Sequence, residues 1–232
     1  MKLTAQESKT VLVFSPHADD AEIGVGGYIA RTVAEGGTVI VVLATVGSIK
    51  FLHLDRNVDA EERLEEFHAS MKILGVQHTH VLTQGYDSRL NTVPMGSMVA
   101  ELDMLQEQYR PDEVLIPLPS AHQDHQYCWD VDVAATRPSP AKHSPKVVAA
   151  YEYPLTFWGN GSQSPAFGGG IYVNVSDYWG KKEDALRQYK SQMREDLSLI
   201  SLNGVNALAQ LRGVESGCHK AELLHALRII LK

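Results

Sequence analysis

Residues 11–15 and 38–43 are unbroken apolar runs, mostly β-branched, and the first stops at Pro16. Such runs have no polar face, so the strands they form must be covered on both sides, as in a parallel sheet. Between them, residues 22–35 read as a helix closed by Gly36 and Gly37. A second helical seam, residues 59–74, sets Leu64, Phe67, Met71 and Leu74 on one face and ends at Gly75. Residues 79–82, 95–109 and 113–117 repeat the strand–helix–strand beat. This alternation predicts an α/β fold: a Rossmann-like, mostly parallel sheet of doubly wound type, flanked by helices on both faces. Residues 137–146, with Pro138, Pro140 and Pro145, predict a loop, and 147–151 another strand. Residues 154–170 are rich in Gly and Ser, carry Phe157, Trp158 and Phe167, and predict a long connection or a lid. A strand at 170–175 and two helices, about 181–192 and 220–231, complete the expectation. No repeat or low-complexity tract divides the chain, which predicts one domain over residues 1–232.

Composition removes several function classes. Net charge is −7 and no basic stripe is visible, which argues against a nucleic-acid partner. The longest apolar runs, such as residues 38–46, fall far short of the ~20 residues that cross a bilayer. Residues 1–10 are polar and lack the apolar core of a signal peptide. Cys128 and Cys218 make no disulfide framework and fit a reducing compartment. The expectation is a cytoplasmic protein that works without a membrane.

Chemistry gathers at two strand ends. After the first strand come Pro16, His17, Asp19, Asp20, Glu22, Gly24, Gly26 and Gly27. Helix capping would account for one acid there, Asp19 or Asp20, but not for a histidine beside two adjacent aspartates. After the strand at 113–117 come Ser120, His122, Asp124 and His125. Open α/β sheets bind ligands at the carboxyl ends of their strands, so the two clusters can converge. A hydrolytic zinc site takes three protein ligands and leaves a position for water. The glycines follow the acids, the reverse of a dinucleotide fingerprint, and suit close packing of the first helix on the sheet.

This pattern closely resembles the PIG-L/LmbE-like N-deacetylases. Further matches are Thr45 and Gly47 after the second strand, Arg63 in the helix ending at Leu74, Gly75 and Val76, and Asp87 after the third strand. Tyr189, Ser191 and Gln192, then Arg212, Gly213, Gly217, Ala221 and Glu222, resemble the family's C-terminal half, so the likeness spans nearly the whole chain. The resemblance implies that His17, Asp20 and His125 hold a divalent metal. Zinc is the leading ion, with ferrous iron or another divalent ion as the alternative. It implies Asp19 as general base and His122 as the group that steadies the oxyanion or protonates the leaving amine. Arg63 and Asp87 resemble substrate-contacting positions, and Glu22 a supporting or helix-start residue. The activity implied is metal-dependent removal of acetyl from an N-acetylamino sugar, such as N-acetylglucosamine, or a related conjugate. Relatives often form rings or dimers, so a homo-oligomer is allowed.

One departure stands out: Ser120 occupies a position where some family members carry tyrosine, leaving Tyr86, Tyr127 and Tyr153 as candidates to compensate. His78 and His80 read as solvent-facing, Cys218 with His219 as no metal pair, and His219 as a candidate for the pocket rim. Trp158 and Phe167 read equally as sugar-stacking or loop-packing residues. Two rival functions are a 2-His-1-carboxylate ferrous enzyme and a non-catalytic sugar- or nucleotide-binding module on a Rossmann-like sheet.

Overall fold

The computed structural model describes residues 8–51, 56–154, 170–194 and 197–231. Its strands are β1 (Thr10–Ser15), β2 (Thr38–Val46), β3 (Ile49–Phe51), β4 (Arg56–Val58), β5 (His78–Gln84), β6 (Glu113–Pro117), β7 (Val147–Tyr151), β8 (Gly170–Asn174) and β9 (Ala221–Ile229). Its α-helices are α1 (Asp20–Ala34), α2 (Ala60–Leu74), α3 (Met95–Tyr109), α4 (Gln123–Ala135), α5 (Trp179–Leu186) and α6 (Leu202–Ser216). Among the described residues, seven strands form one sheet in the order β5-β2-β1-β6-β7-β9-β8. The first five are mutually parallel, and β9 runs antiparallel to both β7 and β8. β3 and β4 pair as a separate hairpin.

Both faces of the sheet are covered. Val11 and Val13 of β1 belong to a core shared with α1, α2, α5 and α6, and Leu12 and Phe14 to one shared with α3 and α4. Burial on both sides is why β1 and β2 show no polar alternation. The mostly parallel α/β expectation holds, with α3, β6 and β7 at the predicted positions.

The C-terminal region differs from expectation. Ala221–Ile229, within the stretch expected as a helix at about 220–231, form β9 instead, and α6, which lies before it, is outside the sequence expectation. Leu223, Leu224, Leu227, Ile230 and Leu231 have helical spacing, but the segment enters the sheet between β7 and β8. An inserted strand needs apolar residues on both faces, and over a short stretch that pattern is indistinguishable from a helical seam. α6 was concealed by Gly204 and Gly213 within it and by the outward-facing Leu211 and Val214. α5 ends at Leu186, short of the predicted 192. The 154–170 segment, with Phe157, Trp158 and Phe167, falls almost wholly outside the described residues.

α1 is broken near its start. Val25 has φ −134° and ψ 22°, so the helical hydrogen-bond ladder fails there. The freed N–H groups of Gly27 and Tyr28 donate to Glu222 Oε1 and Oε2 at 2.8 and 2.7 Å. The Ile23 carbonyl, which Gly27 would bond in an unbroken helix, accepts from Lys182 Nζ at 2.8 Å. Lys182 Nζ also meets Glu222 Oε1 at 2.7 Å, and both residues are buried. The glycines of this stretch permit the close approach: a Cβ on Gly24 would lie 2.3 Å from Tyr151 Cδ2, and one on Gly27 2.7 Å from Val175 Cβ.

Replacing Glu222 with Ala strands a buried ammonium and two backbone donors. The expected loss is about 3–5 kcal/mol of unfolding free energy, measured by urea denaturation. Lys182→Met/Glu222→Leu, which leaves no buried charge, is expected to lose less than Glu222→Ala alone.

Candidate active site

β1 and β6 are neighbours, and the chain leaves them toward opposite faces, into α1 and α4 respectively. That divergence opens a crevice at the carboxyl ends of the strands. A cavity of about 590 Å³ lies there, and His17, Asp19, Asp20, Arg63, Asp87, His122 and His125 all line it. The two clusters, about a hundred residues apart in sequence, therefore meet.

Hydrogen bonds set the shape of the turn after β1. Ser15 Oγ donates to the His17 carbonyl at 2.8 Å and accepts from the Ala21 N–H at 3.1 Å. Asp20 Oδ2 accepts from the His17 N–H at 2.9 Å. Asp19 occupies the N-cap position of α1 with φ 113°, yet its side chain caps no N–H group. A non-glycine residue in that half of φ space is strained by about 1–3 kcal/mol, and such residues cluster at functional sites. The capping explanation of Asp19 thus fails. Its carboxyl projects into the cavity instead. Burial and the charge of Asp20 push its pKa well above the usual range, partly offset by Arg63.

Asp20 Oδ2 stands 3.3 Å from His17 Nδ1 and 3.3 Å from His125 Nε2. Donors about 2.0–2.1 Å from a common centre stand ~3.3 Å apart when tetrahedral. One carboxylate and two imidazoles therefore fit a divalent ion. The outer ring atoms are tied down as well. His17 Nε2 lies 2.9 Å from Asp124 Oδ2, and His125 Nδ1 lies 3.0 Å from Ser120 Oγ. Such bonds fix the tautomer and orientation of ligating histidines. Burial opposes charge on His17, but the hydrogen bonds to Asp124 and Asp20 outweigh it and raise its pKa to about 10. Burial likewise opposes charge on Asp20, but His125 and His17 hold its pKa well below the usual carboxylate range.

His122 belongs to the same histidine cluster. One ring nitrogen each from His17, His122 and His125 lie within 4.8 Å of one another. Its Nδ1, however, accepts the Asp124 N–H at 3.2 Å as the N-cap of α4. Burial first, then the neighbouring His17 and His125, lower its pKa to about 4, so it is neutral at physiological pH. With its Nδ1 lone pair used, the proton sits on Nε2, the form of a hydrogen-bond donor rather than a ligand.

Arg63 and Asp87 pair with each other. Arg63 Nη1 contacts Asp87 Oδ1 and donates to the Gly47 carbonyl at 2.7 Å, and Arg63 is almost fully buried. They form a charged wall rather than a separate cation and acceptor. Glu22 is fully buried behind the site, where it accepts from the Tyr189 hydroxyl, and burial pushes its pKa up to about 7. Of the three tyrosines, Tyr153 lines the cavity, with its ring edge-on to His125 at 5.1 Å. The Tyr127 hydroxyl donates to the Val93 carbonyl at 2.8 Å, and Tyr86 is exposed. His219 does not line this cavity but a separate surface depression beside Cys218, so the pocket-rim expectation is corrected. His78 is exposed, and half-buried His80 bonds the Tyr109 hydroxyl at 2.9 Å, away from the cavity. The sequence pattern sets Asp124 and Ser120 beside the histidines without indicating what either does. The available signal was the need of ligating histidines for a partner at the second nitrogen. Asp124 also accepts from the N–H groups of Ser88 and Leu90, at 2.6 and 3.0 Å.

Comparison with known proteins identifies the family. A family model described as PIG-L, GlcNAc-PI de-N-acetylase, matches residues 12–136. The diacetylchitobiose deacetylase of Thermococcus kodakarensis is 30% identical over 228 residues, covering 92% of this chain and 81% of the relative. The structure of the conserved protein TT1542 from Thermus thermophilus has a TM-score of 0.75 at 26% identity, with 97% of each chain covered. That of the N,N'-diacetylchitobiose deacetylase from Pyrococcus horikoshii, with an inhibitor bound, has a TM-score of 0.76 at 23% identity. The match covers 94% of this chain and 84% of that one, and bears on fold alone. The model match takes in both polar strand ends and more than half of the chain, and the Thermococcus relative extends the likeness to 92% of it, so the chain belongs to the PIG-L family.

Proposed function

We propose that this protein is a divalent-metal-dependent N-deacetylase that removes acetyl from an N-acetylamino sugar or a conjugate of one. The observation that carries this reading is the meeting of Asp20 Oδ2 with two imidazole nitrogens at 3.3 Å, beside an Asp19 carboxyl that caps no helix. His17, Asp20 and His125 would hold the ion, and their donor set suits zinc, with ferrous iron as the alternative. When bound, such an ion polarises a carbonyl and brings the pKa of water near neutrality.

The remaining work falls to side chains. Asp19 lines the cavity and takes the proton of the attacking water as general base. The Nε2–H of neutral His122 donates to the oxygen on which negative charge develops. Asp19, whose pKa is raised by burial and the charge of Asp20, then returns the proton to the departing amine. Acetate and the free amine leave. Asp124 and Ser120 keep the two imidazoles aimed at the ion site. The Arg63–Asp87 pair supplies both donors and acceptors to a polar substrate. The sugar assignment draws on the activity named for the Thermococcus relative and on the charged Arg63 and Asp87 among the residues that line the cavity. A binding module would have no use for an acid held in a strained turn beside a complete donor set.

Three outcomes are expected. Metal content, measured by atomic emission, falls sharply in His125→Ala and Asp20→Ala, and Asp124→Ala weakens metal affinity about 10–100-fold; full metal in the first two overturns the ligand assignment. Asp19→Asn keeps its fold and metal but loses roughly 10²–10⁴-fold in kcat, read as acetate release at neutral pH. The wild type deacetylates N,N'-diacetylchitobiose but not an acetyl-lysine peptide. On that sugar Arg63→Ala lowers kcat/KM about 10–100-fold with metal retained. Equal rates on sugar and peptide overturn the sugar assignment.

A further inference from the structure

One wall of the cavity comes from the chain after α5, which contributes Gln192, Arg194 and Ile200. This wall is fastened from behind. Tyr189 is fully buried and donates its hydroxyl to Glu22 of α1. The Tyr189 carbonyl accepts from the N–H groups of Gln192 and Met193, at 3.2 and 2.9 Å. Ser191 is buried and bonded twice to Glu66 of α2: its N–H to Oε1 at 2.9 Å and its hydroxyl to Oε2.

The direction of these bonds decides how the Gln192 amide faces. A carboxylate only accepts, so the single hydroxyl proton of Ser191 goes to Glu66. Ser191 Oγ can then only accept, and it does so from Gln192 Nε2 at 2.9 Å. The amide nitrogen is thereby held against Ser191. Oε1 is the end left for the cavity, and nothing bonds it among the described residues. The relay from Gln192 through Ser191 to Glu66 allows one amide orientation and forbids its flip.

We infer that Gln192 Oε1 is a substrate-contacting acceptor for one hydroxyl of the bound sugar, with Ser191 and Glu66 as the positioning residues that hold its amide in that orientation. The inference rests on the deacetylase reading above and adds a specificity element to the same cavity. It also gives a role to the Tyr189, Ser191 and Gln192 stretch, which the sequence singled out without assigning one. A fixed acceptor opposite a hydroxyl acts on ground state and transition state alike, so its removal is felt in KM rather than kcat.

The test pairs binding with turnover. Calorimetry with N,N'-diacetylchitobiose uses zinc-loaded Asp19→Asn protein, alone and combined with Gln192→Met, which keeps side-chain length but has no acceptor oxygen. Steady-state rates are measured for Gln192→Met and Glu66→Gln in otherwise wild-type protein. Gln192→Met is expected to raise both Kd and KM about 3–10-fold, with kcat held within about twofold. Glu66→Gln can donate to Ser191, which lets the Ser191 hydroxyl turn to Gln192 and reverse its amide. It is expected to raise KM in the same direction while metal content stays full. Kd and KM unchanged in Gln192→Met, or a fall in kcat at constant KM, overturns the assignment to Gln192. An unchanged KM in Glu66→Gln overturns the orientation lock. Acetate release by the wild type decides the deacetylase reading separately, because the Kd comparison does not depend on turnover.

Discussion

Asp20 is the carboxylate on which the site depends. Its Oδ2 accepts the His17 N–H, which closes the turn after β1, and the same atom faces imidazole nitrogens from both halves of the site. A buried anion with three nitrogens around it is stable only while those nitrogens carry positive charge between them, from a proton or from an ion. Everything nearby serves that requirement. Asp124 braces His17 from the far side, Ser120 braces His125, and the backbone after β5 braces Asp124 through Ser88 and Leu90. The site is a closed set of hydrogen bonds spanning three strand ends.

A comparable economy governs α1, whose first turn carries the acids. The helix breaks within two turns of Asp20, and buried charges repair the break, with Glu222 taking the freed N–H groups and Lys182 the freed carbonyl. Glu222 lies on β9 and Lys182 on α5, so the C-terminal third of the chain finishes an element begun near residue 20. The antiparallel β9 therefore does more than extend the sheet. It brings a carboxylate under the glycine-rich stretch, where the absence of side chains lets helix and strand approach closely.

The two acids of the turn occupy different environments through backbone geometry. Asp19 and Asp20 are adjacent, but a φ of 113° at Asp19 sends the side chains apart. Asp20 turns inward to the histidines and is held ionised, while Asp19 faces the cavity, where burial and its neighbour's charge raise its pKa. A carboxylate that stays charged suits ion binding, and one that holds a proton readily suits proton transfer. Environment, not residue type, separates them.

The order of residues alone implies the two-sided parallel sheet, because unbroken apolar runs such as 38–43 are stable only when covered on both faces. It determined the location of the chemistry, because acids and histidines crowded after two apolar strands have no structural use sufficient to explain them all. β9 was legible only from its partners, since Leu223, Leu224 and Leu227 fit a helix or a doubly buried strand equally well until the neighbours β7 and β8 are present. Tertiary contacts likewise pair Arg63 with Asp87, tie Asp124 to His17, and engage His122 Nδ1 with the Asp124 N–H. Each of these is a contact between atoms distant in sequence or a hydrogen-bond direction, and periodicity and spacing encode neither.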